Sequence, residues 1–99
     1  MHTVTANGAA IPALGFGTFR MPGPDTARMV PAVLALGYRH IDTAQIYGNE
    51  DAVGAGIAAS GVPRGDIFLT TKVWVKNYRD SAFHASVDES LRKLGTDYV

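Results

Sequence analysis

Hydrophobic positions along the chain switch between a period of two and a period near 3.6, and the switches recur in a fixed order. Thr3-Val4-Thr5-Ala6 and Ala9-Ala10-Ile11 flank Asn7-Gly8, a dipeptide that closes two-residue hairpins. After Pro12 the apolar run from Ala13 to Thr18 predicts a short strand, with Gly15 and Gly17 where the backbone passes close to something. Asp25 and Thr26 can cap a helix in which Met29, Val33 and Leu36, with Val30 and Leu34, keep helical spacing up to Gly37. Pro31 would remove a hydrogen bond inside that helix and predicts a kink or a late start.

Tyr38 to Asp42 reads as a second strand, and Asn49, followed by Glu50 and Asp51, as the acidic start of a second helix. Val53 and Ile57 share a face of it, Gly54 and Gly56 weaken it, and Gly61 with Pro63 ends it. Ile67 to Lys72 is a third strand. A third helix starts at Asp80 or Ser81, carries Phe83, Val87, Leu91 and Leu94 on one face, and stops at Gly95. Phe83, Val87 and Leu91, with Val33 and Ile57, are expected to face the sheet and carry most of its burial. Asp97-Tyr98-Val99 looks like the lead into a fourth strand.

This is a βα repeat, and parallel strands covered by helices occur in open doubly wound sheets and in closed barrels. A barrel takes eight units and about 250 residues, so three units do not close one. The expectation is a chain truncated from a longer product, or one whose strand edges are met by another chain.

Composition narrows the partners. With 46% hydrophobic and 18% charged residues the sequence is an ordinary globular one. Nine basic residues balance nine acidic ones, which gives no net field to draw nucleic acid or an anionic membrane. No cysteine is present to form a disulfide or act as a thiolate. Met1 to Ala10 lacks the basic flank and apolar run of a signal peptide, and a cytoplasmic protein is expected.

In βα folds the working residues collect at the carboxyl ends of strands and in the loops beyond them. Asp42 ends the second strand, Tyr47 lies in the loop after it, and Lys72 ends the third. Each alone has a bland reading: a turn-capping aspartate, an exposed tyrosine, a solvated lysine. Adjacent parallel strands lie about 4.8 Å apart, however, so Asp42 and Lys72 are expected neighbours and an expected ion pair. A free phenol titrates near pH 10, and an ammonium beside one favours the phenolate. Together the three residues make an acid suited to protonating an alkoxide as a carbonyl carbon receives hydride.

Three segments carry a family likeness: Leu14-Gly15-Phe16-Gly17-Thr18-Phe19, the stretch from Gly37 to Glu50 that contains His40-Ile41-Asp42-Thr43-Ala44-Gln45-Ile46-Tyr47, and Thr70-Thr71-Lys72-Val73-Trp74. In these the chain resembles the aldo/keto reductases. Leu91 to Val99 also resembles that family's run into its fourth strand, and Asp-Thr-Ala-Gln-Ile-Tyr is most similar to the bacterial 2,5-diketo-D-gluconate reductases. The resemblance implies an α/β fold, an N-terminal hairpin and the first three βα units of a (β/α)8 TIM barrel, with residues 1–99 as the N-terminal part of one barrel domain cut at the start of the fourth strand.

The resemblance further implies reduction of a small-molecule aldehyde or ketone by NADPH. The family's catalytic group is Asp, Tyr, Lys and His, and Asp42, Tyr47 and Lys72 match the first three. The histidine belongs to the end of the fourth strand, and none of His2, His40 or His84 stands in that context. Gly17, Thr18, Phe19 and Asp42 match positions beside the bound cofactor, whereas the grip on the adenosine phosphate comes from late barrel loops. Phe19, Tyr47 and Trp74 match the apolar wall around the substrate. The whole barrel is expected to be a monomer, and the 99-residue chain to be inactive alone and to self-associate through its strand edges.

Three rival readings compete with this one. Gly15-Phe16-Gly17 lacks the third glycine of a dinucleotide fingerprint, because Arg20 stands there. His40 and Asp42, two apart on one strand face, suggest a metal-dependent barrel hydrolase, but no third ligand stands at a matching strand end and no metal is expected. The last is a non-enzymatic fragment that folds only with a partner.

Overall fold

Asn7 and Gly8 both adopt positive φ, 48° and 81°, the backbone that a two-residue hairpin turn demands. In a computed structural model of the chain, which describes residues 2–99, they join β1 (Thr3–Ala6) to β2 (Ala9–Pro12), with Thr3 opposite Pro12 and Ala6 opposite Ala9. A separate parallel sheet follows, built from β3 (Phe16–Gly17), β4 (His40–Asp42) and β5 (Phe68–Thr70) in that order. Between and after them run α1 (Gly23–Ala35), α2 (Glu50–Ser60) and α3 (Asp80–Leu94). Consecutive strands are neighbours, as in the wall of a βα barrel. Among the described residues no helix is long and apolar enough to cross a membrane.

Alternation along the strands separates two faces. Ile41 and Leu69 point to the helices and are buried there with Val30, Val33, Leu34, Val53, Ile57 and Leu94. His40, Asp42, Phe68 and Thr70 stand on the opposite face, half-buried. Register places Gly17, Asp42 and Thr70 in one row at the carboxyl end of the sheet. That row sets the stage for the chemistry.

Pro31 lies inside α1 without ending or delaying it, since the helix already begins at Gly23 with a proline in its first turn. Thr26 does not cap it: its hydroxyl donates back to the carbonyls of Met21 and Pro22. Leu36 falls at the helix end and is exposed rather than on the apolar face. The face expected on α3 also needs correcting. Leu94 and Ser90 are buried and Val87 and Leu91 partly so, but Phe83 is exposed. The reason is that α3 meets α2 through its last turn, where the Lys93 and Leu94 carbonyls come against Gly54. Asp97 to Val99 form no strand; Arg64 instead holds this stretch, donating to the Thr96 hydroxyl at 2.9 Å and the Tyr98 carbonyl at 2.6 Å.

The two glycines that weaken α2 on propensity are what let it pack. A Cβ on Gly54 would lie 2.6 Å from the Lys93 carbonyl oxygen and 2.7 Å from that of Leu94, and one on Gly56 would lie 2.7 Å from Val30 Cβ. Alanine at an exposed helix position would stabilise by about 1 kcal/mol. Here the obstructing atoms are backbone, so Gly54→Ala is expected to destabilise the fold by about 1 to 3 kcal/mol instead. Thermal or denaturant unfolding checks this, and a raised melting temperature would show that α2 and α3 have room to separate.

Candidate active site

Thr18 is fully buried and ties the ends of β3 and β4 together. Its amide donates to the Asp42 carbonyl at 3.0 Å, and its hydroxyl donates to the same carbonyl at 3.2 Å and to the Thr43 hydroxyl at 3.0 Å. Thr43 in turn donates from its hydroxyl to Asn49 Oδ1 at 3.0 Å. The Asn49 amide donates to the carbonyls of Thr18 and Met21 at 2.9 and 3.1 Å. Asn49 begins α2 without capping it, because its side chain is committed to this network. The loop that carries Tyr47 is thereby fastened at both ends to the loop that carries Phe19.

Between those ends, Gln45–Tyr47 form a single 3-10 turn closed by Gly48 in the left-handed conformation, φ 69°. The turn aims the Tyr47 hydroxyl back over the sheet. Lys72, just past β5, meets it: Nζ lies 2.9 and 3.0 Å from the two Asp42 carboxylate oxygens, 2.9 Å from the Thr43 carbonyl and 3.3 Å from the Tyr47 hydroxyl. The expected ion pair is present, and the sequence-predicted Asp42, Tyr47 and Lys72 come together at the carboxyl end of the sheet.

Burial on its own would lower the pKa of Lys72, but hydrogen bonds to Asp42 and Tyr47 and the nearby carboxylate charge outweigh it and hold the ammonium above its ordinary value of 10.5. A raised lysine contributes its stabilisation fully below the ordinary value and loses it as pH rises through the folded one. Unfolding followed against pH is therefore expected to show no loss from this group until the solution passes about 10.5.

Phe19 is 63% exposed and leans on Tyr47 with ring centroids 5.2 Å apart. Trp74, with Ile46, Tyr47, Lys72, Val73 and Tyr78, lines an open recess of about 260 Å3. Gly17 faces Asp42 in register, and a Cβ built on it meets no atom within 4 Å. That leaves the backbone beside the aspartate open to an approaching group. Gly15 is the glycine with a close neighbour, since a Cβ there would sit 3.2 Å from the His40 ring. His40 is packed against Phe68, centroids 5.0 Å apart, with Nδ1 3.1 Å from the Pro12 carbonyl, and so belongs to the hairpin seam rather than to the site.

Several polar residues around the site are not assigned by sequence reasoning. Asn49 and Thr43 form the network above, buried Glu50 accepts a hydrogen bond from the Thr71 hydroxyl at 2.7 Å, and Gln45 bonds to both the Trp74 turn and α3. Their signal is the cluster of polar residues, Thr43, Gln45, Asn49 and Glu50, in the loop after Asp42.

Several known proteins are similar to this chain. The sequence model of the Aldo/keto reductase family matches residues 13–99. The methylglyoxal reductase DkgB of Escherichia coli O157:H7 is 54% identical over 90 residues, covering 91% of this chain and 34% of its own. The glycerol 2-dehydrogenase (NADP(+)) of Saccharomyces cerevisiae is 49% identical over 92 residues, covering 93% of this chain and 29% of its own. A crystal structure of a provisionally assigned 2,5-diketo-D-gluconic acid reductase B superposes with a TM-score of 0.97 at 69% identity, covering 100% of this chain and 35% of that one. The chain thus spans about a third of the length of the relatives it matches.

Proposed function

Because the chain belongs to the aldo/keto reductase family, we propose that it supplies the proton-donating part of an NADPH-dependent carbonyl reductase, with Tyr47 as the donor. The observation that carries this reading is one ammonium, Lys72, held between the Asp42 carboxylate and the Tyr47 hydroxyl. When bound, NADPH supplies a hydride to the carbonyl carbon of an aldehyde or ketone. Negative charge then gathers on the carbonyl oxygen, and that oxygen needs a proton. Tyr47 donates it: the phenolic O–H bond breaks as the alcohol O–H bond forms, and Lys72 stabilises the charge left on the phenol oxygen. Asp42 keeps Lys72 charged and aimed. Water returns the proton to Tyr47.

The residues present fit the cofactor at one edge. Gly17, Phe19 and Asp42 would line it, whereas Thr18, expected beside the cofactor, is fully buried and only ties the strand ends together behind them; the open space beside the Gly17 backbone supports this assignment. The name of the yeast relative supports the phosphorylated nicotinamide. The name of the Escherichia coli relative supports a small carbonyl substrate, which Phe19, Tyr47 and Trp74 would flank.

A polypeptide limited to residues 1–99 is expected to reduce no carbonyl compound and to bind NADPH only weakly. The family resemblance places the catalytic histidine and the grip on the adenosine phosphate outside these residues. Titration by NADPH fluorescence checks this, and micromolar affinity would contradict it.

The reaction itself is tested by joining residues 1–99 to the remainder of the Escherichia coli relative's chain. Deuterium on the transferable carbon of NADPH should appear on the carbinol carbon of the product formed from methylglyoxal. A folded, NADPH-binding protein whose product carries no deuterium would contradict the proposal.

A further inference from the structure

Gln45 has the most connected side chain near the site, and the proton transfer does not use it. Its Oε1 accepts from the Trp74 backbone N–H at 2.9 Å and from Asn77 Nδ2 at 3.0 Å. Its Nε2 donates to the Ser86 carbonyl at 3.2 Å, the Ser86 hydroxyl at 3.2 Å and the Ser90 hydroxyl at 3.1 Å. Its backbone N–H donates to the Lys72 carbonyl at 3.1 Å. One residue therefore joins three parts of the fold: the turn that carries Tyr47, the turn that carries Trp74, and the middle of α3.

The direction of these bonds matters. Gln45 opens the 3-10 turn that ends at Tyr47, and Trp74 is the residue just before the 3-10 turn Val75–Asn77. Neither turn is held to the other by a strand. Sheet pairing ends at Thr70, and beyond it the backbone bonds Thr43 N–H to the Thr70 carbonyl and Gln45 N–H to the Lys72 carbonyl carry the register two residues further. From there to Trp74 the connection passes through the Gln45 amide. An amide is suited to this because it offers two acceptor sites on one end and two donors on the other, and all are engaged here.

We propose that Gln45 is a positioning residue for substrate selection: it fixes the Trp74 wall relative to the Tyr47 hydroxyl, and so sets which carbonyl compounds lie with their oxygen on the proton donor. Tyr47, Lys72 and Trp74 line one recess, so a substrate large enough to touch Trp74 while its carbonyl is at Tyr47 depends on their spacing, and a smaller one does not. Losing the amide frees the Trp74 turn. A displacement of about 1 Å at that distance affects a long substrate's alignment by up to roughly 10²-fold, while a substrate too short to reach the wall is affected through the Tyr47 turn alone.

This inference rests on the carbonyl-reductase reading, and the parental protein separates the two. In the barrel made by joining residues 1–99 to the remainder of the Escherichia coli relative, kcat/KM is measured for methylglyoxal and for an aromatic aldehyde. Gln45→Met keeps the length of the side chain and removes its hydrogen bonds. The ratio of kcat/KM, aromatic over methylglyoxal, is expected to change by about tenfold or more in Gln45→Met. Gln45→Glu retains the acceptor for Trp74 N–H and Asn77 but sets a carboxylate oxygen against the Ser86 carbonyl, so its ratio should lie between those of the parent and Gln45→Met. Asn77→Ala removes one partner from outside and should move the ratio in the same direction as Gln45→Met, by less; it carries the test if Gln45→Met does not fold. An equal fall for both substrates would make Gln45 merely structural and overturn the proposal, as would an unchanged ratio in Gln45→Met or, where that variant does not fold, in Asn77→Ala. A parental barrel that reduces neither substrate would overturn the reading on which the proposal stands.

Discussion

Replacing Tyr47 by Phe in the completed barrel is expected to lower turnover by roughly 10²-fold or more while leaving NADPH affinity near the parental value. The substitution keeps the ring that packs against Phe19, with centroids 5.2 Å apart, and removes only the hydroxyl 3.3 Å from Lys72. Lost packing therefore cannot account for the loss. Steady-state rates at saturating NADPH, with a separate fluorescence titration for binding, distinguish a missing proton donor from a damaged site. Parental turnover in Tyr47→Phe would take this tyrosine out of the mechanism. The competing view, in which Asp42, Tyr47 and Lys72 are unrelated surface residues, expects near-normal turnover and stability changes within about 0.5 kcal/mol.

Lys72→Met should cost turnover on the same scale, roughly 10²-fold, for a linked reason. Nζ donates to both Asp42 carboxylate oxygens, to the Thr43 carbonyl and to the Tyr47 hydroxyl. Removing it leaves the phenol without a stabilising cation and Asp42 without its counter-charge. Since Tyr47 and Lys72 act in one step, the double variant should be little worse than either single one. Losses that multiply would mean that the two residues serve separate steps. Asp42→Asn is expected to fall between the parent and Lys72→Met, because it loosens the ammonium without deleting it. The raised pKa of Lys72 adds a control: activity should show no decline from lysine deprotonation below about pH 10.5.

The sequence reveals Asp42 and Lys72 because both sit where strand geometry constrains them. Parallel pairing at a fixed spacing makes the ends of successive strands neighbours, whatever the loops between them do. Tyr47 is less constrained by pattern and depends on the single turn closed by Gly48. Gln45 and Asn49 lie beyond reach for a different reason. Apart from Thr43, six residues from Asn49, their side-chain partners stand 23 to 45 residues away, and a polar side chain in a loop does not announce which distant group it will bind.

Helix pattern errs in the same way on a larger scale. Period 3.6 names the side of α3 that Phe83, Val87, Leu91 and Leu94 share, but not how far along that side a neighbour extends, and the contact with α2 falls at the Leu94 end. Propensity misjudges Pro31 and the α2 glycines together. Gly56 comes against Val30 and the Pro31 ring, so two residues that each weaken a helix fit each other across the α1–α2 contact.

The central claim is that residues 1–99 bring a working proton donor to a family barrel. Its most direct test is the initial rate of methylglyoxal-dependent NADPH oxidation by residues 1–99 joined to the remainder of the Escherichia coli relative's chain. The expected rate lies within about tenfold of the intact relative's, since the two chains are 54% identical over the 90 residues they share. A folded chimera that binds NADPH yet oxidises it no faster with methylglyoxal than without would contradict the claim.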